Sequence, residues 1–389
     1  MAKIAIYHFH NGSGGGVLSV IRNLLLYRQH SEIQNHVIYT INKDHTPTFI
    51  TPGLEGAASE QVFYYSSKWN FYYTSKKLAK LLPNENALIV ANDWLELGMV
   101  SNLGLRNPVL QILHGNFEYY FKLAELHSVN IDAFICVSKV IADKLAILLP
   151  SVQSKIHFLR FPVPDIKPDF KDFKNIRCTF FVRDLKDHRK QANILPLINR
   201  KLYDLGINIE WHIAGGGMDI KEFDDFWGDS YTKYVNFYGE LNISEINGLL
   251  ERCNVMILPS LSEGFPVSLV EAMKHGLVPF ISKWDGSVSE LVKEGFSGFY
   301  FDYNDVDGYV EKLSYAATHL EELEDISSNA SKTAEMLFNP IKNTILYEEQ
   351  FLRLIKGSSF KKIKFKAYGS RLDMPHLPNF ITKYLRMLF

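Results

Sequence analysis

The chain has little of what marks several protein classes. Its 389 residues hold three cysteines, Cys136, Cys178 and Cys253, far apart and with no C-x-x-C pair. That pattern excludes a disulfide framework and a zinc site and suits a reducing cytoplasm. No run reaches the ~18 uncharged apolar residues that a transmembrane helix needs. The opening "MAKIAIYHFH" has no basic segment and no long apolar stretch, so a strand is expected there and not a signal peptide. Net charge is −1, which leaves no global field to draw nucleic acid or membrane. The body is expected to be soluble and cytoplasmic, without a nucleic-acid partner.

What is present is an ordinary globular composition, 47% apolar and 22% charged, on a chain long enough for two cores. Short β-branched runs alternate with helical periods, the signature of a mostly parallel α/β sheet. "KIAIYHF" reads as a strand, the glycine turn "HNGSGGG" follows, and a helix is expected over 17–27. "HVIYTIN", "ALIVAND", "PVLQILHG" and "AFICVS" read as further strands, and Ser138 as the N-cap of a helix over 138–149. In "FPVPDIKPDFKDF", Pro162, Pro164 and Pro168 can neither continue a helix nor sit inside a sheet. A domain boundary is placed there, giving units 1–165 and 166–338. The second unit repeats the alternation, with strands at 177–183, 208–217, 235–239, 254–260, 277–282 and 298–301. Helices are expected over 191–205, 243–253, 266–276, 288–295 and 305–320. A closing helix (339–357) and a tail (358–389) complete the chain. From residue 356 on there are eight Lys/Arg against one Asp, interleaved with aromatics.

The stretch "PSLSEGFPVSLVEAM" (259–273) runs from a strand through a glycine turn into a helix start. In an open α/β sheet this is the edge where ligands bind. Amides of a first helical turn, with the positive end of the dipole, suit a phosphate or diphosphate. Glu271 lies five residues past Pro266, about 7.5 Å along the axis, where a carboxylate can accept from a ribose diol. Glu263, in the turn, faces whatever lies beyond the phosphates.

The run from "VNFYGELN" to "GFYF" (235–301), with Glu263 and Glu271 eight apart and "EGFP" and "EAM" in place, resembles the donor-binding half of family 4 glycosyltransferases. These are retaining enzymes of the GT-B fold, two Rossmann-like domains facing each other across a cleft. The resemblance covers 177–320 well and the first domain more loosely. It implies that Glu271 binds the ribose of a nucleotide and Glu263 the transferred sugar near its reacting face. The amides of Gly264, Phe265 and the residues after Pro266 would line the phosphate path. Arg183 and Lys190, in "FFVRDLKDHRKQ", would meet the leaving diphosphate; Lys186 and Arg189 stand as alternatives to Lys190, and Val182 replaces the glycine usual before the arginine. Gly215, in "IAGGG", would lie near the base or phosphates, although a plain tight turn explains it equally well.

In the first domain the resemblance assigns Gly15 and Gly16 to the diphosphate and His114, in "QILHGNF", to the transferred sugar. Asp93 or Trp94 would meet the acceptor. His8 and His10 share a strand face, but two histidines without a third ligand pack more often than they bind metal. Paired-aspartate (D-x-D) manganese sites belong to the other main glycosyltransferase fold; none is read in this chain, where "EFDDFWGD" (222–229) reads as a helix face. Transfer is therefore expected without metal or cofactor. The donor would be a UDP- or GDP-sugar and the acceptor a glycan or lipid-linked glycan, in cell-surface polysaccharide synthesis. The basic tail suits an anionic membrane surface, with packing on the first domain as the rival. Two other readings stay open: a nucleotide-sugar epimerase of the same fold, and a non-catalytic glycan-binding relative.

Overall fold

A computed structural model describes residues 3–45, 53–82, 87–166, 171–228, 234–284, 288–357, 362–367 and 369–388. Pro168 of the proline stretch and residues 358–361 of the tail lie outside them. The chain forms two compact units, Met1–Pro162 with Pro340–Phe389, and Val163–Asn339. The change of unit thus comes three residues before the expected 165/166 boundary, and the closing helix and tail belong to the first unit.

The first unit is built on a parallel seven-stranded sheet. Its strands are β1 (Ile4–His10), β2 (Ile33–Asn42), β3 (Ser59–Tyr65), β4 (Leu88–Ala91), β5 (Val109–Leu113), β6 (Ala133–Cys136) and β7 (Ile156–Phe158). Their order is β3-β2-β1-β4-β5-β6-β7, so the direction of winding reverses between β1 and β4. Strands β4 and β6 read as continuous apolar runs because helices cover both faces; every residue of β4, β5 and β6 is buried, Gln111 of β5 included. The helices among these strands are α1 (Gly16–Leu26), α2 (Phe71–Ala79), α3 (Trp94–Leu103), α4 (Glu118–His127) and α5 (Lys139–Leu148). Ser138 caps α5, its hydroxyl accepting from the Ile141 amide at 3.2 Å.

The second unit repeats the plan with six parallel strands: β8 (Arg177–Asp184), β9 (Glu210–Gly216), β10 (Val235–Phe237), β11 (Val255–Leu258), β12 (Val278–Ser282) and β13 (Phe299–Phe301). The order β10-β9-β8-β11-β12-β13 reverses between β8 and β11. Around it lie α6 (Leu195–Asp204), α7 (Ile220–Trp227), α8 (Ile243–Arg252), α9 (Val267–Lys274), α10 (Val306–Thr318) and α11 (Leu320–Leu337). The expected helix over 288–295 is instead one 3-10 turn, Val288–Glu290. The chain reverses after it, with Gly295 at φ +68° and the Lys293 amide bonded to Ser297 Oγ. Lys274, at the end of α9, is wholly buried. Its ammonium donates to the carbonyls of Val163 and Phe338 and to Asp165, at 2.7, 3.1 and 2.8 Å, tying the first and last stretches of the unit together.

Two further helices, α12 (Pro340–Lys356) and α13 (Asn379–Leu388), return to the first unit. Glu348 of α12 accepts from the amides of Gln29 and His30. The described tail residues pack against the same unit. Lys362 pairs with Asp132, Ile363 exchanges two hydrogen bonds with Asn130, and Phe365 bonds to the Ser101 carbonyl. The described tail residues thus pack on the first unit, as its closing segment. Among the described residues no helix is long and apolar enough to cross a membrane. All three cysteines are buried and unbridged.

Candidate active site

Ligands of open α/β sheets bind where the strand order reverses, beyond the carboxyl ends of the strands. In the second unit that point lies between β8 and β11, and the loops leaving those strands carry the predicted residues. After β8, Asp187 caps the 3-10 turn His188–Lys190 through the Arg189 amide. The Arg189 carbonyl then accepts the Leu261 amide at 2.7 Å, so the basic turn is fastened to the loop that follows β11. Lys190 is thereby brought to Glu263, and its ammonium donates to both carboxylate oxygens at 2.6 and 2.8 Å. Ser260 Oγ donates to the same carboxylate at 2.6 Å. Ser260 has no motif of its own, and only its place at the strand end before Glu263 could have drawn attention to it.

The two alternatives to Lys190 are engaged elsewhere. Arg189 pairs with Asp187 at 2.7 Å and Lys186 with Glu222 on the surface at 2.8 Å. Arg183 is exposed near the end of β8. Gly215 has a steric reason to be glycine: a Cβ there would stand 2.7 Å from the Val182 carbonyl and 3.0 Å from Leu185. It holds β9 tight against the strand end that carries Arg183, a packing role beside the ligand role implied by resemblance.

Pro266 is the N-cap of α9 and not its first helical residue, and no side chain caps the helix. The first-turn amides therefore begin at Val267. Gly264 is buried, and the Phe265 ring packs on Phe338 at 5.4 Å, which leaves only backbone from Phe265 for a ligand. Glu271 lies in α9, half-buried, one turn beyond those amides. Against the reading that the chain has no D-x-D, the sequence holds one such triplet, Asp305–Asp307, and it is structural. Asp305 caps α10 through the Gly308 amide and Asp307 pairs with Lys201. Among the described residues no cluster of three metal-ligating side chains occurs.

The first unit has a cavity of about 230 Å³ at its own switch point, lined by His10, Asn11, Gly14, Gly16, Asn92 and Asp93, with Tyr119 and Tyr120 among the rest. Gly15, just before α1, sits at φ +115°, a conformation that favours glycine. Asn92 is buried and organises the site. Its amide nitrogen donates to the Phe9 carbonyl at 2.8 Å, so its oxygen faces His114 Nε2 at 2.7 Å. His114 must then carry its proton on Nε2, leaving a lone pair on Nδ1. Burial, with His10 nearby, pushes the His114 pKa down to about 3, so the ring is neutral at any working pH.

Asp93 caps α3 in a capping box with Glu96 and accepts from the Tyr119 hydroxyl. Glu96 is fully buried and accepts the Asn92 and Asp93 amides at 2.8 and 2.6 Å. Burial and the Asp93 charge raise its pKa to about 8. Trp94 is committed to an aromatic cluster, stacked on Phe71 at 5.6 Å. His8 is buried against Asn35, and His10 accepts the Gly12 amide.

Residues 164–333 match the family Glycosyl transferases group 1. A UDP-Gal:alpha-D-GlcNAc-diphosphoundecaprenol alpha-1,3-galactosyltransferase from Escherichia coli is 30% identical over 112 residues, 29% of this chain and 28% of that protein. A Campylobacter jejuni alpha-1,4-N-acetyl-D-galactosaminyltransferase, acting on a PP-undecaprenol-linked glycan, is 24% identical over 247 residues, 60% of this chain and 65% of its own length. The matched region spans between about a quarter and two thirds of these curated relatives. Among solved structures, Anabaena HepE in complex with UDP-glucose superposes with a TM-score of 0.69 at 16% identity, over 90% of this chain and 99% of HepE. At that identity the likeness is one of fold. Residues 164–333 therefore resemble the glycosyl transferases group 1 family, and the fold is the one seen in GT-B glycosyltransferases.

Proposed function

We propose that the chain is a family 4 retaining hexosyltransferase. It would move a sugar from a UDP- or GDP-sugar to a hydroxyl of a glycan or lipid-linked glycan, in cell-surface polysaccharide synthesis. The observation that carries this reading is the Lys190 ammonium seated on Glu263 beside the start of α9. Loss of a nucleoside diphosphate needs positive charge or amides on its oxygens, while the oxocarbenium-like sugar needs negative charge nearby. A cation, an anion and a row of helix amides within one loop cluster supply both.

In this reading Lys190 and Arg183 meet the diphosphate, with the amides from Gly264 into the first turn of α9. Glu271 accepts from the ribose and Glu263 faces the departing sugar. The resemblance gives the sugar a further contact at the neutral His114, and Gly15 and Gly16 an approach to the diphosphate. Asp93 and Tyr119, on the first unit's cavity, suit a hydroxyl-bearing acceptor. The charge on the leaving group is met by side chains and helix amides, so transfer proceeds without a metal or other cofactor. The relatives named for undecaprenol-linked glycans support a lipid-linked acceptor, and in this reading the enzyme works at the cytoplasmic face of the membrane.

A thermal-shift screen of UDP, GDP, ADP and their sugars tests the donor, because binding to the native state raises Tm. The matching donor is then incubated with and without acceptor glycans. Release of nucleoside diphosphate with an anomer-retaining product is expected. Conversion of donor alone into an isomer would make the protein an epimerase, and no shift with any nucleotide would leave only a glycan-binding role.

A further inference from the structure

An amphipathic helix on a globular protein normally turns its apolar face to the core. In α13 the widest apolar face looks outward. Phe380, Tyr384, Met387 and Leu388 are 73, 64, 55 and 59% exposed, and at positions i, i+4, i+7 and i+8 they form one stripe. The opposite side holds the helix to the first unit chiefly through polar groups. Asn379 Oδ1 accepts the Asn70 amide at 2.8 Å, and buried Thr382 donates to the Leu372 carbonyl at 3.2 Å. Arg386 donates to the carbonyls of Ser67 and Trp69 at 2.8 and 2.6 Å and to Asp373 at 2.5 Å. Ile381 and Leu385 on that side are half-buried. The helix is therefore fixed in place with its stripe presented to solvent.

The charge around the stripe selects its partner. Lys383 lies within it, exposed, and Lys364, Lys366 and Arg371 of the same tail are exposed as well. The single acid among the described residues from 362 on is Asp373, which is buried against Arg386. A second copy would bring an equal cationic surface to this one, and like charges at close range oppose association. A bilayer with anionic headgroups complements both features: aromatic and apolar side chains enter the interface while the basic residues stay at headgroup level.

We propose that the outward face of α13, centred on Phe380, Lys383, Tyr384 and Met387, seats the first unit on an anionic membrane surface. This deepens the lipid-linked acceptor reading above, and its binding test needs neither donor nor acceptor.

The test is flotation of the full chain with vesicles of phosphatidylcholine mixed with phosphatidylglycerol, and with phosphatidylcholine alone. The wild type is expected to bind the anionic vesicles about tenfold or more tightly than the neutral ones, and to release with salt. Phe380→Ser with Tyr384→Ser is expected to weaken anionic binding about tenfold or more, and Lys383→Glu several-fold, with the Tm of each variant kept as evidence of folding. Absence of wild-type binding, or undiminished binding by both variants, overturns the proposal. So does a lipid-free dimer that the double substitution dissolves, because the stripe would then be an interface between copies. Donor-induced thermal shifts in the same variants are expected to match the wild type. Their loss in the wild type would count against the transferase reading and leave the vesicle result standing.

Discussion

Lys190 donates to both carboxylate oxygens of Glu263, at 2.6 and 2.8 Å, at the switch point of the second sheet. Both side chains are largely sheltered, 24 and 9% exposed, so the pair is more than a surface contact. If it serves the departing diphosphate and sugar, each partner is needed mainly in the transition state. Glu263→Gln and Lys190→Met are each expected to lower kcat by about 10²–10³-fold, with a smaller change in donor affinity. The double variant should fall little further than either single one, because the two act as a unit. Lys186→Ala, whose partner is a half-exposed Glu222, should stay within about twofold. Steady-state kinetics on the matching donor measure all four, and a wild-type rate for Glu263→Gln ends the role given to that residue.

The glutamate pair and the alternation of strand and helix are legible in the chain itself. The strands of a doubly covered sheet are short apolar runs, and Ser138 and the glycine turns punctuate them. Lys190 could not be told from Lys186 and Arg189 by spacing, since the choice depends on Arg189 being turned away by Asp187 and on the Leu261 amide clasping the turn. Helix α3 carries no stripe because eight of its ten residues are buried. Position β3 lies at the sheet edge, where polar residues interrupt the pattern. Asn92 shows no motif either; its importance comes from the Phe9 carbonyl and His114, 83 and 22 residues away.

Asn92 sets the tautomer of His114, and this has a spectroscopic consequence. With its pKa near 3, His114 should show no titration between pH 5 and 8, and two-dimensional ¹H–¹⁵N spectra should report a proton on Nε2. Asn92→Asp would set a carboxylate against Nε2 and favour the imidazolium, moving the pKa up toward the ordinary 6.5. A protonated Nδ1 cannot accept a hydroxyl, so kcat/KM of this variant should fall as pH drops through the new pKa, adding a limb that the wild type lacks. A variant profile that superimposes on the wild type would remove Asn92 from this role.

Glu96 links stability to pH in the opposite sense from an ion-paired carboxylate. Its folded pKa is raised from 4.5 to about 8, so in rising pH the unfolded chain ionises first. The stability it contributes is full below pH 4.5 and is lost progressively as pH rises to about 8. Glu96→Gln keeps an oxygen for the Asn92 and Asp93 amides and removes the ionisation. Its Tm relative to the wild type should therefore increase from pH 5 to pH 8, by roughly 2–4 °C for each kcal/mol recovered in a unit of this size. A Tm difference that stays constant over that range would mean that Glu96 is not held protonated.

Gly215 separates packing from ligand contact. A Cβ there would meet the Val182 carbonyl at 2.7 Å, and β9 is restrained from yielding by the Gly215 amide on the Gly239 carbonyl at 2.7 Å. The displacement would pass to the end of β8, which carries Arg183, and to the loop after it, which the Leu185 amide also ties to Gly216 at 3.0 Å and which carries Lys190. Gly215→Ala is therefore expected to cost about 1–3 kcal/mol and to lower kcat/KM about tenfold, because even a 1 Å displacement of positioned groups is costly to rate. Gly248→Ala in α8, where nothing lies within 4 Å of the new methyl, is the control and should gain about 0.5–1 kcal/mol with unchanged kinetics. Should Gly215→Ala lose stability and keep its kcat/KM, the glycine packs the strand end without placing the basic loop, and the positions of Arg183 and Lys190 would have to be set from the β11 side alone.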